Sequence, residues 1–446
     1  MSHRLKTLGH ATLLLFENDV PLIATDPWLV GSTYWRSWWL EKYPTDAEFE
    51  AVRDARYLYI THSHPDHFHY PTLRVLKNRS TLHPDLEQYE IPTFLLSNGF
   101  DAQKLEAWTW FRVTDTVRIA SIPVPVDDSL LVIETPGAYI VDLNDAVPRS
   151  GLLRLVHEKM LGNDKPVILL KSYSPASIAA AIYREGKRTQ MKTKADYANT
   201  AMKLAETLGA THFVPFASQA FFNRTDSRWA NEFKVTYEDL LSHWTSESTA
   251  LCKPFSEIDL DTLEITSTYM DVDRTLSAEN QRKIAEREDE EVKFTASAEL
   301  PMKLERYMGE LYFLRWLYRR GIGWRLINSG KEYFYDTRQR KLLDGIPDDH
   351  DVVINLPDKV LAECLENNIL TDLGISMFIK VETRIGAKLT YGLFLLMGLH
   401  DYGHFNNLSR FVSFARFYFP YFFPITFRIK WLLTSRPWET TKDLNG

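Results

Sequence analysis

Four histidines and an aspartate stand close together in the segment YITHSHPDHFHYPTL, residues 59–73. Directly after an apolar run, His62, His64, Asp66 and His67 follow the pattern H-x-H-x-D-H. Two histidines spaced by two at the end of a strand can turn toward one point, while the next Asp and His can reach a second point a few ångströms away. The spacing therefore predicts a metal site, with Asp66 and His67 at its reacting centre.

The residues around this motif resemble the metallo-β-lactamase fold family. The segments GHATLLL and TDPWL precede the histidines, and the likeness covers roughly residues 5–225. The resemblance implies an αββα sandwich that holds one or two metal ions between the edges of its sheets. Within this superfamily, TDPWLVGSTYWRSWWL and the histidine segment resemble the metal-binding domain of the CMP-N-acetylneuraminate hydroxylases.

The family pattern also needs ligands from later in the chain, and here this sequence departs from it. Where a further histidine is expected after RIASIP, the chain has Asp127 and Asp128. For the bridging carboxylate, YIVDLNDAVP offers Asp142 and Asp145, and Asp145 is preferred by its distance from the following proline. The last histidine of lactonase-like relatives falls on Ala217, so that ligand is absent. The resemblance thus implies a carboxylate-rich or open site.

Other side chains are expected to support the site rather than to bind metal. Asp26 matches a family position that hydrogen-bonds a metal-binding histidine, and a turn or cap before Pro27 is the alternative. His10 has a similar supporting role, and His69 either supports the site or faces substrate. Candidates for contact with substrate are Trp35, Arg36 and Lys171.

Imidazole and carboxylate ligands serve both iron and zinc, so the ligand types alone do not decide between these metals. A few imidazoles and carboxylates with open positions suit non-heme iron and oxygen activation, and the missing last histidine favours the hydroxylase branch over the hydrolases. We therefore expect one or two iron ions and an oxygenase or hydroxylase of a small molecule. The alternatives are a zinc- or manganese-dependent hydrolase, such as a phosphodiesterase or lactonase, and a metal-binding scaffold without catalysis.

An oxygenase needs a source of electrons. The hydroxylases that the chain resembles carry a Rieske cluster bound by two Cys and two His. The only cysteines here, Cys252 and Cys364, have no histidine at the spacing of such a site. The hypothesis therefore requires an external reductase or ferredoxin as a partner.

The pattern of apolar runs predicts an α/β chain with two domains. A hairpin at 11–16 and 20–24 and strands near 55–62, 117–126, 130–134, 139–143, 167–170 and 212–216 alternate with helical segments such as 196–210. A charged helix beginning after Ser277 marks a change in composition from apolar runs to charged residues. We predict a catalytic sandwich over residues 1–255 and an α+β domain over 256–446 that serves substrate specificity, as a lid or in subunit contact.

Composition limits the partners and the compartment. The 446 residues carry a formal charge of −7, which gives no electrostatic reason to bind nucleic acid. Two cysteines and an N-terminus without a secretory pattern predict a cytoplasmic protein. The aromatic segment 414–433 is predicted to be buried or to form a subunit contact, with a peripheral membrane contact as the alternative.

Overall fold

The structure is a computed structural model that describes residues 1–427 except 77–78, 88–89, 126, 190–191, 270–274, 312–313, 406 and 424. In the first part of the chain the strands are β1 (His3–Leu8), β2 (Thr12–Glu17), β3 (Val20–Thr25), β4 (Ser32–Thr33), β5 (Trp38–Leu40), β6 (Tyr57–Tyr59), β7 (Ser80–Pro84), β8 (Asp101–Leu105), β9 (Phe111–Arg112), β10 (Arg118–Val124), β11 (Asp128–Glu134), β12 (Tyr139–Asp142) and β13 (Val167–Lys171). They continue with β14 (Ile182–Arg184), β15 (Lys187–Arg188), β16 (His212–Pro215), β17 (Ala220–Phe222), β18 (Ala250–Leu251), β19 (Ser256–Asp259), β20 (Ile265–Ser267), β21 (Ile322–Leu326), β22 (Glu332–Asp336), β23 (Lys341–Asp344), β24 (Val352–Leu356) and β25 (Lys380–Thr383).

The helices lie between these strands and after them. They are α1 (Asp46–Asp54), α2 (Tyr70–Val75), α3 (Glu90–Ser97), α4 (Ser150–Met160), α5 (Lys194–Leu208), α6 (Tyr237–His243), α7 (Ala278–Lys293), α8 (Leu300–Glu310), α9 (Leu314–Leu317), α10 (Asp358–Asn367), α11 (Leu373–Ser376), α12 (Ala387–Asp401) and α13 (Leu408–Phe422). Short 3-10 turns occupy Ile178–Ala181, Arg228–Phe233 and Leu370–Asp372.

Two sheets pack face to face to form a sandwich. The first has the order β20-β19-β1-β2-β3-β6-β7-β8 and the second the order β18-β16-β13-β12-β11-β10-β9. Apolar side chains of both sheets fill the space between them, for example Leu13, Ile133 and Ile168. Helices α1–α3 cover the outer face of the first sheet, and α4, α5, α6 and α13 cover that of the second. The predicted αββα architecture is confirmed.

Parallel strands in both sheets end at the edge where the chemistry was expected. Strands β3 and β6 are parallel in the first sheet, and β12, β13 and β16 are parallel in the second. Their carboxyl ends lead into Asp26, His62, Asp142, Lys171 and Ala217. Because parallel strands end at one edge of a sheet, residues distant in sequence meet there.

A third sheet occupies the C-terminal part, in the order β15-β14-β25-β24-β21-β22-β23. Strand pairing crosses the predicted division at residue 255, because β19 pairs with β1 while β14 pairs with β25. Helix α13 also packs on the second sheet through Phe414 and Tyr418. The two-domain division stays a prediction, since the two parts exchange elements.

Several local predictions agree with the structure. The N-terminal hairpin is β2 and β3, and α5 ends at Gly209, which adopts a φ of 73°. Helix α7 begins at Ala278, and the Ser277 side chain caps it by accepting a hydrogen bond from the Asn280 amide.

The aromatic C-terminal segment is only partly covered by helix α13. In this helix Tyr418 and Tyr421 are buried, whereas Phe419 is exposed, as is Phe423 just beyond the helix end. The remainder of 414–433, at 424 and 428–433, lies outside the described residues. Among the residues that the structure does describe, no helix combines the length and apolarity needed to span a membrane. Of these four aromatic residues, two are therefore buried on one face of the helix and two are exposed.

A buried ion pair joins the sandwich to the C-terminal part. Arg224, which is 1% exposed, binds Glu291 of α7 through two hydrogen bonds of 2.7 and 2.8 Å. The same guanidinium pairs with Asp226 and lies 4.2 Å from the centre of the Phe378 ring. A charge in this position is stable only while its partners remain, because water does not reach it.

Replacing Glu291 with Ala would leave the Arg224 charge buried with one carboxylate instead of two. We expect Glu291→Ala to lower the free energy of unfolding by about 3 kcal/mol. Urea unfolding followed by circular dichroism measures the change. The matched control is Asp289→Ala, which breaks an exposed pair with Lys293 on the same helix and should change stability by less than about 0.5 kcal/mol. Equal effects of the two variants would contradict this account.

Candidate metal centre

His67 is held from behind by Asp26. Its Nδ1 lies 2.7 Å from Asp26 Oδ2, and the same carboxylate accepts hydrogen bonds from the amide and the hydroxyl of Thr61 at 2.8 and 2.5 Å. The Asp26 amide in turn donates to Tyr59 O at 2.9 Å, which fixes it to the end of β6. A carboxylate that accepts the Nδ1 proton directs the lone pair of Nε2 into the site. The predicted supporting role of Asp26 agrees with this geometry.

The other two histidines of the motif share one side of the site. His62 Nε2 lies 2.8 Å from His64 Nδ1, and the His62 and His67 ring centres are 4.2 Å apart. His62 Nδ1 lies 3.4 Å from Asp128 Oδ1. Burial, together with the charge of His67 and His64, lowers the pKa of His62 well below its usual range. His62 is therefore neutral, which is the form that binds metal.

Asp66 lies on the opposite side and has three close neighbours. Tyr34 donates a hydrogen bond of 2.6 Å to Asp66 Oδ1. His10 Nε2 lies 3.1 Å from Asp66 Oδ2, and His67 Nε2 lies 3.7 Å from the same oxygen. The amide of Ala217 donates to His10 O at 2.9 Å. The backbones of His10 and Ala217 are thus paired, and both residues line a small cavity together with Asp145.

Asp145 closes the ring between the two sides, with Oδ2 3.5 Å from His67 Nε2. Burial opposes its ionisation, but the hydrogen bond and the charge of His67 lower the pKa of Asp145. Burial and the charge of Asp145 raise the pKa of Asp128 well above its usual range. Burial and Asp26 raise the pKa of Asp142 to about 8. More carboxylates meet here than the neighbouring positive charges neutralise.

The pKa of His67 shifts in the direction opposite to that of His62. Burial opposes its protonation, but Asp66, Asp26 and Asp145 raise the pKa of His67 well above its usual range. In the absence of another cation, a proton on His67 compensates the carboxylates. A metal ion bound at Nε2 would take the place of that proton.

The donor set fits a transition metal. His10 Nδ1 is buried without a hydrogen-bond partner among the described residues. His10 Nε2 and His67 Nε2 are buried as well, and both face carboxylate oxygens, of Asp66 at 3.1 Å and of Asp145 at 3.5 Å, without a well-directed hydrogen bond. One group of possible ligand atoms, within 4.8 Å of one another, comes from His10, Asp66 and His67, and a second comes from Asp26, His62 and His67. Imidazole nitrogens with carboxylate oxygens are ligands for iron, zinc or manganese. Because Asp26 already accepts three hydrogen bonds, it fits an orienting role better than a ligand role.

Asp127 does not reach the histidine cluster. Its Oδ2 lies 2.5 Å from His404 Nε2, and its Oδ1 accepts a hydrogen bond of 2.7 Å from the Tyr418 hydroxyl. The expectation that Asp127 is a metal ligand is therefore wrong, because Asp127 points to the C-terminal helices while Asp128 faces His62. Adjacent residues at the start of a strand point to opposite sides.

Lys171 is buried beside the cluster and does not face a large open space. Its ammonium donates to Asn144 O at 3.0 Å and to the Ser172 hydroxyl at 2.5 Å. Burial lowers the pKa of Lys171, and Asp145, Asp128 and Asp142 oppose this shift. Lys171 therefore partly balances the carboxylates, and direct contact with substrate stays a prediction.

The other supporting residues line one cavity of about 740 Å³ next to the histidine loop. Trp35 and Arg36 form part of its wall, together with Tyr34, and His69 lines it from the loop. His69 also caps α2 by accepting a hydrogen bond from the Thr72 amide, and burial lowers its pKa to about 4. The expectation that these side chains surround a substrate is consistent with this location.

Three residues near the site were not expected from the sequence. Tyr34 binds Asp66, His404 binds Asp127, and Asp372 lines the cavity. Residues Tyr34, Trp35 and Arg36 all have positive φ, of 47°, 55° and 68°. The sequence indicated Trp35 and Arg36 as candidate substrate contacts, but no sequence signal indicated the positive φ angles of residues 34–36. Asp372 and His404 come from the C-terminal part and carry no motif.

Comparison with known proteins shows that part of the chain is similar in sequence to a group of hydroxylases. The chain is 29% identical over 167 residues to cytidine monophosphate-N-acetylneuraminic acid hydroxylase of Asterias rubens, 30% over 156 residues to that of Mus musculus, and 25% over 246 residues to an inactive form of Homo sapiens. The chain is similar to the CMP-N-acetylneuraminate hydroxylases. The matches cover 34%, 32% and 50% of this chain and 25%, 26% and 46% of the relatives, respectively, so the chain spans less than half of each relative.

Solved structures with a related fold have other activities as well. CmlA, a diiron β-hydroxylase from Streptomyces venezuelae, is 16% identical with a TM-score of 0.40 over 58% of this chain and 54% of its own. An isothiocyanate hydrolase from Delia radicum gut bacteria is 17% identical with a TM-score of 0.40 over 57% of this chain and 98% of its own. At TM-scores of 0.40 these likenesses carry no argument about this chain. No protein-family model matches the chain. The resemblance to the hydroxylases is confirmed in sequence over part of the chain, and the sandwich of two sheets agrees with the metallo-β-lactamase fold.

The contact between Asp26 and His67 generates a direct prediction. Asp26→Asn removes the carboxylate that orients His67, so metal affinity should fall about 10-fold to 100-fold. Competition with a chelating dye measures the affinity for Fe²⁺ or Zn²⁺. Asp54→Asn, at an exposed carboxylate of α1, is the control and should leave affinity unchanged. Equal affinities of the two variants would show that Asp26 does not orient a ligand.

Proposed function

We propose that the protein is a non-heme iron oxygenase or hydroxylase of a small molecule. The observation that carries this proposal is Asp128, which faces His62 where the family pattern has a histidine. Together with Asp66 and Asp145, it surrounds the histidines with carboxylates. A site with several carboxylates and few imidazoles suits iron and oxygen activation. The similarity to hydroxylases supports the same assignment.

We assign the ligands to two neighbouring positions. His62 and His64 would hold one ion, and Asp66, His67 and His10 would hold the other. Asp128 lies beside Nδ1 of His62, where a carboxylate orients the imidazole. Asp145 lies between the two positions, because its carboxylate reaches His67 and also influences Asp128. Bound iron would supply the redox chemistry that activates dioxygen.

The protein's own residues orient and shield these ligands. Asp26 fixes the tautomer of His67, and Tyr34 holds one oxygen of Asp66 so that the other faces His10 and His67. The cluster residues His10, Asp26 and His67 are at most 1% exposed, which limits access of water. The cavity beside the loop would place a small molecule close to Asp66.

Electrons would come from a separate protein. Cys252 and Cys364 are both buried. Burial raises the pKa of Cys252 to about 12 and that of Cys364 well above its usual range, so neither is a thiolate ready to bind iron. We therefore propose a reductase or ferredoxin as electron donor.

A metal-dependent hydrolase is the second candidate, and His10 is the observation that favours it. Its imidazole stands next to Asp66, and its backbone pairs with that of Ala217, the position at which the last histidine is absent. With His10 the ligand set also suits zinc or manganese. Asp66 would then orient or deprotonate the attacking water. The substrate would be a phosphodiester, a lactone or an amide.

Metal analysis of protein purified without oxygen separates the candidates. We expect one to two equivalents of iron, an absorbance change when oxygen is admitted, and oxygen uptake with an artificial electron donor. His64→Ala should lose most of the metal, whereas His243→Ala, at an exposed histidine of α6, should retain it. Stoichiometric zinc or manganese with esterase or phosphodiesterase activity would support the hydrolase. Metal without either activity would support a scaffold, and no metal in any preparation would refute both enzymes.

His10 should control the second ion. His10→Ala removes an imidazole next to Asp66, so the metal content should fall from about two equivalents toward one. The ion held by His62 and His64 should remain, because the imidazole of His10 lies beside Asp66 and His67, which are assigned to the other ion. Elemental analysis after dialysis measures the ratio. An unchanged content of two equivalents would exclude His10 from the ligand set.

A further inference from the structure

The cavity next to the histidine loop contains a carboxylate without a partner. Asp372 lines the cavity and is 7% exposed. It precedes α11 at the position of a helix cap, but its side chain makes no capping hydrogen bond. Among the residues that the structure describes, no hydrogen bond or ion pair is found for this carboxylate. A buried carboxylate normally has such a partner, so its solvation is left to whatever enters the cavity.

Two more acidic side chains line the same part of the cavity, and both are held in place. Glu90 accepts a hydrogen bond of 2.6 Å from the Tyr70 hydroxyl. Asp401 accepts one of 2.7 Å from Tyr307 and one of 2.8 Å from the Thr371 amide. Burial, Glu90, Asp401 and Asp66 raise the pKa of Asp372 well above its usual range. Three carboxyl groups therefore meet at the floor of the cavity, Asp372 is the one without a hydrogen bond, and a cation beside it would favour its ionised form.

The cationic side chains that line the cavity have other partners. Arg287 binds Glu363 through hydrogen bonds of 2.8 and 2.9 Å and also pairs with Glu291. Lys283 pairs with Glu279 at 2.6 Å. Arg36 donates to the Ser32 hydroxyl at 3.2 Å. These contacts hold the positive charges on the wall formed by α7 and residues 32–36, so none of them pairs with Asp372.

Aromatic rings surround the acidic floor. Tyr34, Tyr70 and Tyr402 line the cavity together with Asp372, and the charge of Asp372 contributes, after burial, to raising the pKa of each. Trp35 and Phe68 line the cavity as well. Rings next to a carboxylate attract an organic cation through their π faces. Tyr34 also connects this floor to the metal loop, because its hydroxyl binds Asp66.

We propose that Asp372 binds a cationic nitrogen of the substrate, so that the substrate class is an organic amine of a size that fits about 740 Å³. The ammonium group would sit on Asp372 between the tyrosine rings and donate hydrogen bonds to its carboxylate. The remainder of the molecule would extend toward Asp66. As far as it concerns a substrate, this inference rests on the proposed function, since it assumes that the molecule in this cavity reacts at the metal centre.

Binding of a simple probe tests the amine site without turnover. The probe is 2-phenylethylammonium, and 2-phenylethanol is its neutral counterpart of nearly the same shape. Ligand-observed NMR or tryptophan fluorescence of the full chain measures affinity. We expect the cation to bind at least tenfold more tightly than the alcohol, because a charged hydrogen bond is lost in the alcohol. Asp372→Asn should abolish this preference, while Asp348→Asn, at an exposed carboxylate, should retain it.

The outcomes separate this inference from the proposed function. Equal binding of the cation and the alcohol to the wild type, or an unchanged preference in Asp372→Asn, would overturn the amine site whatever the metal content. Asp372→Glu keeps the charge and should keep the preference, which distinguishes loss of charge from loss of folding. Metal content is measured on the same preparations. A clear amine preference in a protein that never binds metal would support the binding site and refute the oxygenase.

Discussion

The meeting of several carboxylates at one buried edge is the constraint on which the site depends. Asp26, Asp66 and Asp142 are at most 1% exposed, and Asp128 and Asp145 are close to them. Isolated charges in such a place are unstable, so cations must accompany them. Lys171 and a proton on His67 supply part of that compensation. A bound metal ion would complete the compensation of charge. The close approach of these carboxylates therefore favours metal binding.

The backbone of the site is strained, and the sandwich holds it in place. Asp26, Asn144 and Ala217 have positive φ values of 39°, 38° and 45°, as do Tyr34 and its two successors. Each such residue costs on the order of 1 kcal/mol, and such conformations persist where surrounding structure fixes them. For Asp26, Asn144 and Ala217 that structure is the pair of sheets, because these residues lie within two positions of the ends of parallel strands β3, β12 and β16. The ligands therefore sit in short segments that are anchored at strand ends.

Sequence patterns predicted the features that depend on residues close together in the chain. The histidine motif, Asp26 and Asp145 follow strands that the apolar runs already indicated, and the structure brings them together. The same patterns did not tell Asp127 from Asp128, because alternation along the chain depends on register. They also gave no sign of Asp372, whose acidic neighbours in the cavity, Glu90 and Asp401, come from distant parts of the sequence. Such groupings arise from packing between distant segments, which a single sequence does not display.

The pair Asp127 and Asp128 links the metal centre to the C-terminal part of the chain. Asp128 faces His62, while Asp127, with a φ of 58°, is bound by His404 and Tyr418. The position of the carboxylate that replaces a histidine thus depends on residues after α12. The same region supplies Asp372 and Asp401 to the cavity. The C-terminal part of the chain therefore contacts both the start of the strand that carries Asp128 and one side of the cavity beside the histidine loop.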